Sequence, residues 1–370
     1  MDNGVPIPIP VASAMVSAPP AEPVADPLVD WTARRATADR VFRCCLGVTA
    51  AVTLAWLYFA LTGRQSGLFF GNHRVDWPYV AQMLIGLAIM QVRWGWLWYG
   101  IKLGVLKKLC GLPAAEARAT FASRMNRPFD LQGLLRGRSE RRIRIADMIG
   151  RRGRYVTIGM LGFWSLYATI AKNPQVSLLT GLQQNLLDAL VLSWAMLASY
   201  RWDGFLGRAM WGPQARIMDG TLGRANSLLI LTLWSLFRFI MIPLGLQIGR
   251  TFPPSTYAAV FAFIWISYLT SDALSEIVGS LFGKQKLRVW GIGEVNRKSI
   301  AGTWACFLGS LVLCLALVYA NGLPRPWLGL ALAVSLSNTC FELFSPRGTD
   351  DFTMASANAL LCWGFGLLVY

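Results

Sequence analysis

Apolar segments near the length of a bilayer recur along this chain, and they limit its fold more than any other feature. They fall at about 41–61, 77–100, 155–170, 176–199, 227–248, 257–271, 301–320, 327–344 and 352–370. A spanning helix needs roughly 20 predominantly apolar residues, and each run approaches that length. The expected fold is all-α, a polytopic integral membrane helix bundle of about nine transmembrane helices. Composition agrees: of 370 residues, 55% are hydrophobic, only 15% are charged and 16 are Trp, too apolar for an ordinary soluble domain.

The net charge of +16 has the same origin. Arg and Lys gather between the apolar runs, as in the cytoplasmic loops of membrane proteins. No basic stripe on a soluble domain accompanies them, so nucleic acid is not an expected partner. Arg34, Arg35, Arg40 and Arg43 precede the first run and place the N-terminus in the cytosol. Alternation then puts 110–154, 201–224, 283–298 and 345–351 on the same side, which fits the inner membrane of a bacterial-type cell. The loop 110–154, with Arg136, Arg138, Arg141, Arg142, Arg144, Arg151 and Arg152, reads as a surface held by anionic membrane lipids or as one that steers polyphosphate. Residues 1–30 carry Pro6, Pro8, Pro10, Pro19, Pro20, Pro23 and Pro27 and read as a disordered tail. Residues 31–154 form an N-terminal membrane section with the basic loop, and 155–370 a transmembrane core.

The 7 cysteines form no CxxC pair, which excludes a zinc site of that type and a disulfide framework. His73, the sole histidine, cannot build a His-based metal cluster. Gln183, Gln184, Asn185 and Asp188 lie in the fourth run and Arg238 in the fifth. An unpaired charge at that depth costs at least ~2.5 kcal/mol, so these side chains face protein or water. An Arg238–Asp188 pair and a grip on a substrate headgroup are both open.

Chemistry concentrates at 270–302, TSDALSEIVGSLFGKQKLRVWGIGEVNRKSIAG. On a helix Asp272 and Glu276 share a face, with Gly279 and Gly283 near the same line. Two carboxylates followed by small residues suit Mg²⁺ carrying a nucleotide, and equally an acid pair above a close-packed helix seam. GEVNRKS lacks the glycine before Lys298 and is one residue short of a P-loop. Ser299 remains able to cap the next helix, where free N–H groups favour an anion and Lys298 adds charge. A second knot, FELFSPRGTDDFTMA, holds Glu342, Arg347, Asp350 and Asp351 around a Pro-Gly turn. Asp350 there can cap the last helix or complete a metal site. Acids and cations in two such knots point to phosphoryl chemistry, in which positioning and charge neutralisation are the protein's main work.

The order DALSEIVGSLFGKQK, RKSIAGT and FELFSPRGTDDFTMA resembles the core of the phytol kinase and dolichol kinase family, which includes CTP-dependent diacylglycerol kinases. That family has an Asp-Ala-x-Ala/Ser helix with trailing glycines, matched by Asp272, Ala273 and Gly279. Its Lys-Ser-x-x-Gly-Ser segment is matched by Lys298, Ser299 and Gly302, with Thr303 for the last Ser. Its Glu and Arg-Gly-x-Asp-Asn turn are matched by Glu342, Arg347, Gly348 and Asp350, with Asp351 for Asn. No Arg-Lys-x-x-His segment is evident. The resemblance covers the last third of the chain and implies a lipid kinase-like core that moves the terminal phosphate of CTP or another nucleoside triphosphate to a lipid alcohol such as phytol, farnesol, dolichol or diacylglycerol. It implies Asp272, Glu342 and Asp350 as catalytic residues. Mg²⁺ is then held among Asp272, Glu276, Asp350 and Asp351, and phosphates by Lys298, Ser299 and Arg347. A phosphatidate cytidylyltransferase shares nucleotide, metal and membrane, but its Lys-Asp and His-Gly-Gly-x-x-Asp-Arg stretches are absent. A transporter or scaffold, with Asp188 and Arg238 as a coupling pair, is the non-enzymatic alternative.

Overall fold

The computed structural model describes residues 27–62, 77–113, 115–116, 134, 136–172, 178–217, 219–289, 296–345 and 349–370. The helices are α1 Pro27–Thr62, α2 Trp77–Cys110, α3 Glu140–Arg154, α4 Leu161–Lys172, α5 Leu178–Ala198, α6 Phe205–Gln214, α7 Gly223–Thr251, α8 Tyr257–Phe261, α9 Ser267–Phe282, α10 Ile300–Ala320, α11 Pro326–Phe344 and α12 Asp350–Val369. A π-helical turn, Tyr155–Met160, joins α3 to α4 without a break, and another, Ala262–Ile266, joins α8 to α9. The division expected between Arg154 and Tyr155 therefore falls inside a continuous helix. Of the expected tail, 1–26 lies outside the described residues, and 27–30 is the first turn of α1. Pro27 suits that position, because a first-turn N–H has no intrahelical acceptor to lose.

Seven helical segments among the described residues are long and apolar enough to cross a membrane: α1, α2, α7, α8 with α9, α10, α11 and α12. The chain is an all-α integral membrane protein. Nine spans are not reached by this measure. The described apolar stretch of α5 is only Asn185–Ala198, and α4 has 12 residues. At 1.5 Å per residue, α4 alone covers only about 18 Å.

The α8–α9 segment is the centre of the bundle. Every residue from 258 to 269 is buried, as expected of a helix apolar on all faces. Phe163 stacks on Trp265 at 5.8 Å, and Phe237 meets the same indole at 5.8 Å. Leu54, Ile85, Val312, Leu336 and Leu360 point outward from the surrounding helices, where lipid is the solvent.

Two devices bind α9 to its neighbours. Asn338 Nδ2 donates to Ser310 Oγ at 2.9 Å and Ser267 Oγ at 3.3 Å, while Asn358 Nδ2 donates to Asn338 Oδ1 at 2.9 Å and Ser267 Oγ at 3.3 Å. This neutral clamp joins α9, α10, α11 and α12. Toward the end of α9, glycines let α10 approach closely. A Cβ on Gly279 would lie 2.9 Å from Ser299 Oγ, and one on Gly302 would lie 2.7 Å from the Ser275 carbonyl oxygen.

Between α9 and α10 the chain forms a short antiparallel hairpin, β1 Lys286–Val289 with β2 Asn296–Ser299, pairing Leu287 with Lys298 and Lys286 with Ser299. The inter-span segment 283–299 thus contains two short strands. The hairpin fixes Lys298 at the mouth of the bundle.

Candidate active site

The site forms where α9, α10, α11 and α12 come together at one end of the bundle. α9 brings Asp272, Ser275 and Glu276. Glu342 stands in the last turn of α11, Asp350 and Asp351 open α12, and Lys298 and Ser299 end β2 just before α10. Ser299 caps α10, its Oγ accepting from Gly302 N at 3.1 Å. Asp350 does not cap α12 from the N-cap position, which Thr349 occupies; its Oδ1 accepts from Asp351 N at 3.3 Å.

Lys298 is the hub. Its Nζ donates to Glu342 Oε1 at 2.6 Å and lies 3.5 Å from Asp350 Oδ2. Ser275 Oγ donates to the same Glu342 oxygen at 2.8 Å. Burial pulls the Lys298 ammonium down, but the Glu342 and Asp350 carboxylates outweigh it and hold its pKa above the usual lysine range. Carboxylate oxygens of Asp272, Glu342 and Asp350 lie within 4.8 Å of one another, so the structure gathers all three acids.

The remaining acids are placed differently. Glu276 faces two arginines on α3, pairing with Arg151 and Arg152, and has Arg216 at 3.7 Å. It lies outside the three-acid group. Asp351 is half-buried, and its Oδ1 is buried with no hydrogen-bond partner among the described residues. The segment 346–348, and with it Arg347, lies outside the described residues, as does His73.

Arg151 and Arg152 are what the sequence reading missed. Arg152 forks over Asp272, with Nη2 donating to Oδ1 at 2.8 Å and Nη1 to Oδ2, while its Nε reaches Glu276. One guanidinium thus lies across both carboxylates of the i, i+4 pair, the bidentate geometry that favours arginine over lysine. Burial disfavours the charged form of Arg152, yet the Asp272 charge and hydrogen bond raise its pKa above the ordinary arginine value. Arg151 is pushed the other way by burial and by Arg216 and Arg152 beside it.

The basic segment is therefore not only a lipid-facing surface: Arg152 and Arg154 are buried and Arg151 half-buried on or near the site, whereas Arg141 and Arg144 are exposed. α3 is held for this task from behind. Lys102 of α2 pairs with Asp147 at 2.8 Å, Asp147 Oδ2 accepts from Ile217 N at 2.7 Å, and Arg154 donates to the Met210 carbonyl at 2.8 Å and Gln91 Oε1 at 3.0 Å. The signal in the sequence was Arg151-Arg152-Gly153-Arg154-Tyr155, which has the spacing of an Arg-Lys-x-x-His segment with Arg for Lys and Tyr for His.

Acids and cations share one cavity of about 1060 Å³. Its mouth carries Arg141, Arg144, Lys284 and Lys286, and its depth is walled by Leu87, Met90, Ile158, Phe163, Leu229 and Leu233. One end can take a charged group and the other a hydrocarbon chain.

Over 127 residues the chain is 32% identical to a phytol kinase of Synechocystis sp.. The matched stretch is 34% of this chain and 52% of the relative, so the chain spans about half the length of that protein. No family model and no solved structure matches.

The Arg238–Asp188 pair weighed from the sequence is not formed as a direct ion pair. Arg238 Nη1 donates to the Asn185 carbonyl at 2.5 Å and its guanidinium sits 3.9 Å over Trp234, while Asp188 Oδ1 accepts from Gln91 Nε2 at 3.1 Å. Both residues line the cavity below the acids.

Proposed function

We propose that the protein is a membrane lipid kinase that transfers the terminal phosphate of a nucleoside triphosphate, CTP by the family resemblance, to a lipid alcohol such as a prenol or a diacylglycerol. The observation that carries this reading is the meeting of Asp272, Glu342 and Asp350 around Lys298 at the polar end of a cavity with apolar walls. The similarity to a phytol kinase supports the reaction class.

The donor set fits Mg²⁺. It is all carboxylate oxygen, which suits a hard cation, and Glu342 Oε2 is buried without a hydrogen-bond partner among the described residues. Asp272 and Asp350 would hold the ion, which when bound neutralises phosphate charge and orients the transferring group. Lys298, Ser299 and Arg347 bind phosphates. The Ser299 hydroxyl accepts from Gly302 N and so keeps its own proton to donate. Arg151 and Arg152 add positive charge where the phosphates gather. In the transfer, the acceptor oxygen bonds to the terminal phosphorus while the bond to the bridging oxygen breaks. The nucleoside diphosphate leaves with that electron pair, and the hydroxyl proton passes to Glu342 through Oε2. The apolar wall keeps the lipid tail below. The cations at the mouth favour a cytosolic site, with the N-terminus on the same side of an inner membrane.

Purified protein with Mg²⁺, labelled CTP or ATP, and a panel of prenols and diacylglycerol tests this by mass detection of lipid phosphate. Product formed at undiminished rate by Asp272→Asn and Lys298→Ala would overturn the assignments. Pyrophosphate released in place of CDP would identify a cytidylyltransferase instead.

A further inference from the structure

Below the acid cluster the cavity continues along polar groups that phosphoryl transfer itself does not need. The Arg152 guanidinium lies 5.3 Å from the centre of the Tyr155 ring, and Tyr155 stacks on Trp234 with ring centroids 6.1 Å apart. Trp234 in turn carries Arg238 at 3.9 Å, and Arg238 reaches the Asn185 carbonyl at 2.5 Å. Tyr155, Trp234, Arg238 and Asn185 all line the cavity, so they make a continuous ladder leading from the acids toward the apolar wall.

All four rungs of this ladder carry unsatisfied donors. The Tyr155 hydroxyl, Trp234 Nε1, Arg238 Nε and Asn185 Nδ2 are buried and have no hydrogen-bond partner among the described residues. Buried donors of this kind call for acceptor oxygens, and neighbouring groups in one cavity call for them together. A prenol brings one oxygen, its hydroxyl, which the acid cluster takes. Its hydrocarbon chain leaves all four donors unmet. A lipid alcohol with ester carbonyls a few bonds from its hydroxyl places acceptors along the ladder while the hydroxyl remains at the acids.

We propose that the acceptor is an ester-bearing glycerolipid of the 1,2-diacylglycerol class, with its carbonyl oxygens held by Arg238, Asn185 and Tyr155. This rests on the lipid kinase reading above and narrows it. Trp234 is the platform that keeps Arg238 and Tyr155 in line, and Asp188, tied to Gln91, offsets the buried positive charge at the far end.

The test compares three acceptors in detergent micelles with the full-length protein: a 1,2-diacylglycerol, its 1,2-dialkyl ether analogue and a prenol of similar carbon number. The ether analogue keeps the hydroxyl and both chains but lacks the carbonyls. We expect KM to rise about tenfold from diacyl to dialkyl with kcat little changed, and the prenol to be poorer still. Tyr155→Phe, which keeps the ring stack, and Asn185→Leu should each shrink the diacyl-to-dialkyl KM ratio toward one. Protection from thermal unfolding by the two glycerolipids, measured without nucleotide, should rank them in the same order. Equal KM values for diacyl and dialkyl acceptors, or a preference for the prenol, overturn this inference and leave the kinase reading standing. Lipid phosphate from none of the three overturns both.

Discussion

The clamp of Ser267, Ser310, Asn338 and Asn358 and the acid cluster of Asp272, Glu342 and Asp350 are built on the same set of helices, α9 to α12. Asn338 precedes Glu342 by one turn of α11, and Ser267 precedes Asp272 by little more than one turn of α9. The clamp is neutral, and its amide nitrogens find acceptors within it at 2.9–3.3 Å. The cluster above is charged, and Glu342 Oε2 has no partner among the described residues. Polar residues inside a membrane bundle thus do two kinds of work. A neutral amide and hydroxyl set, in which Asn358 Oδ1 is the one oxygen without a partner among the described residues, fastens helices, and a charged set awaits a ligand.

Substitutions should separate the two. The largest effect is expected from Asp272→Asn, which keeps an acceptor for Arg152 but removes the charge. Lipid phosphorylation should fall roughly 10²–10³-fold, on the scale of losing one principal electrostatic group, while the protein still elutes as a folded species. Chelation of divalent cations should abolish the same activity without unfolding the protein. Gly302→Ala comes next, since its Cβ would press on the Ser275 carbonyl. A loss of about 1–3 kcal/mol, read from thermal unfolding in detergent, is expected together with reduced activity, because the seam and the site share Ser299.

Asn338→Leu attacks the clamp alone. It should cost about 1–2 kcal/mol in the same unfolding assay and leave turnover per folded molecule nearly intact. If Asn338→Leu instead abolished turnover without lowering stability, the division of labour drawn here would fail. The smallest effect concerns pH. Lys298 has a raised pKa, so the folded state holds its proton more tightly than the unfolded chain does. Its stabilisation is therefore full below the unfolded value of 10.5 and is lost only as pH rises through the higher folded value. The part of the stability that Lys298→Met loses with the ammonium charge should accordingly shrink only above pH 10.5, any change at lower pH coming from the carboxylates left unpaired.

Much of this site could be read from local spacing. Asp272 and Glu276 share a helix face, Ser299 caps α10, and Gly279 and Gly302 form a tight seam because helical period and cap chemistry are local properties. The meeting of Asp272, Glu342 and Asp350 came from the family resemblance, since no single segment contains them. Arg151 and Arg152 stayed hidden because they reach Glu276 and Asp272 from 125 and 120 residues away in sequence. In a basic loop, moreover, an arginine that orients a membrane protein is indistinguishable by composition from one that enters a site. The cationic partners of Glu276 were hidden for the same reason, since they too lie on α3. The hairpin that carries Lys298 has strands of only four residues each, too short for alternation to declare itself.

The π-helical turn at Tyr155–Met160 is the one place in this helix where chain length can change cheaply. Such a turn holds extra backbone relative to an α-helix. Loss of one residue there would relax it to ordinary α-helix with the flanking segments near their present orientation, whereas loss of one residue within α4 would rotate everything upstream by about 100°. In that second case Arg151 and Arg152 would swing away from Asp272, although no side chain in the site had been altered. Over the course of divergence, changes of length in this helix should therefore collect at the π turn.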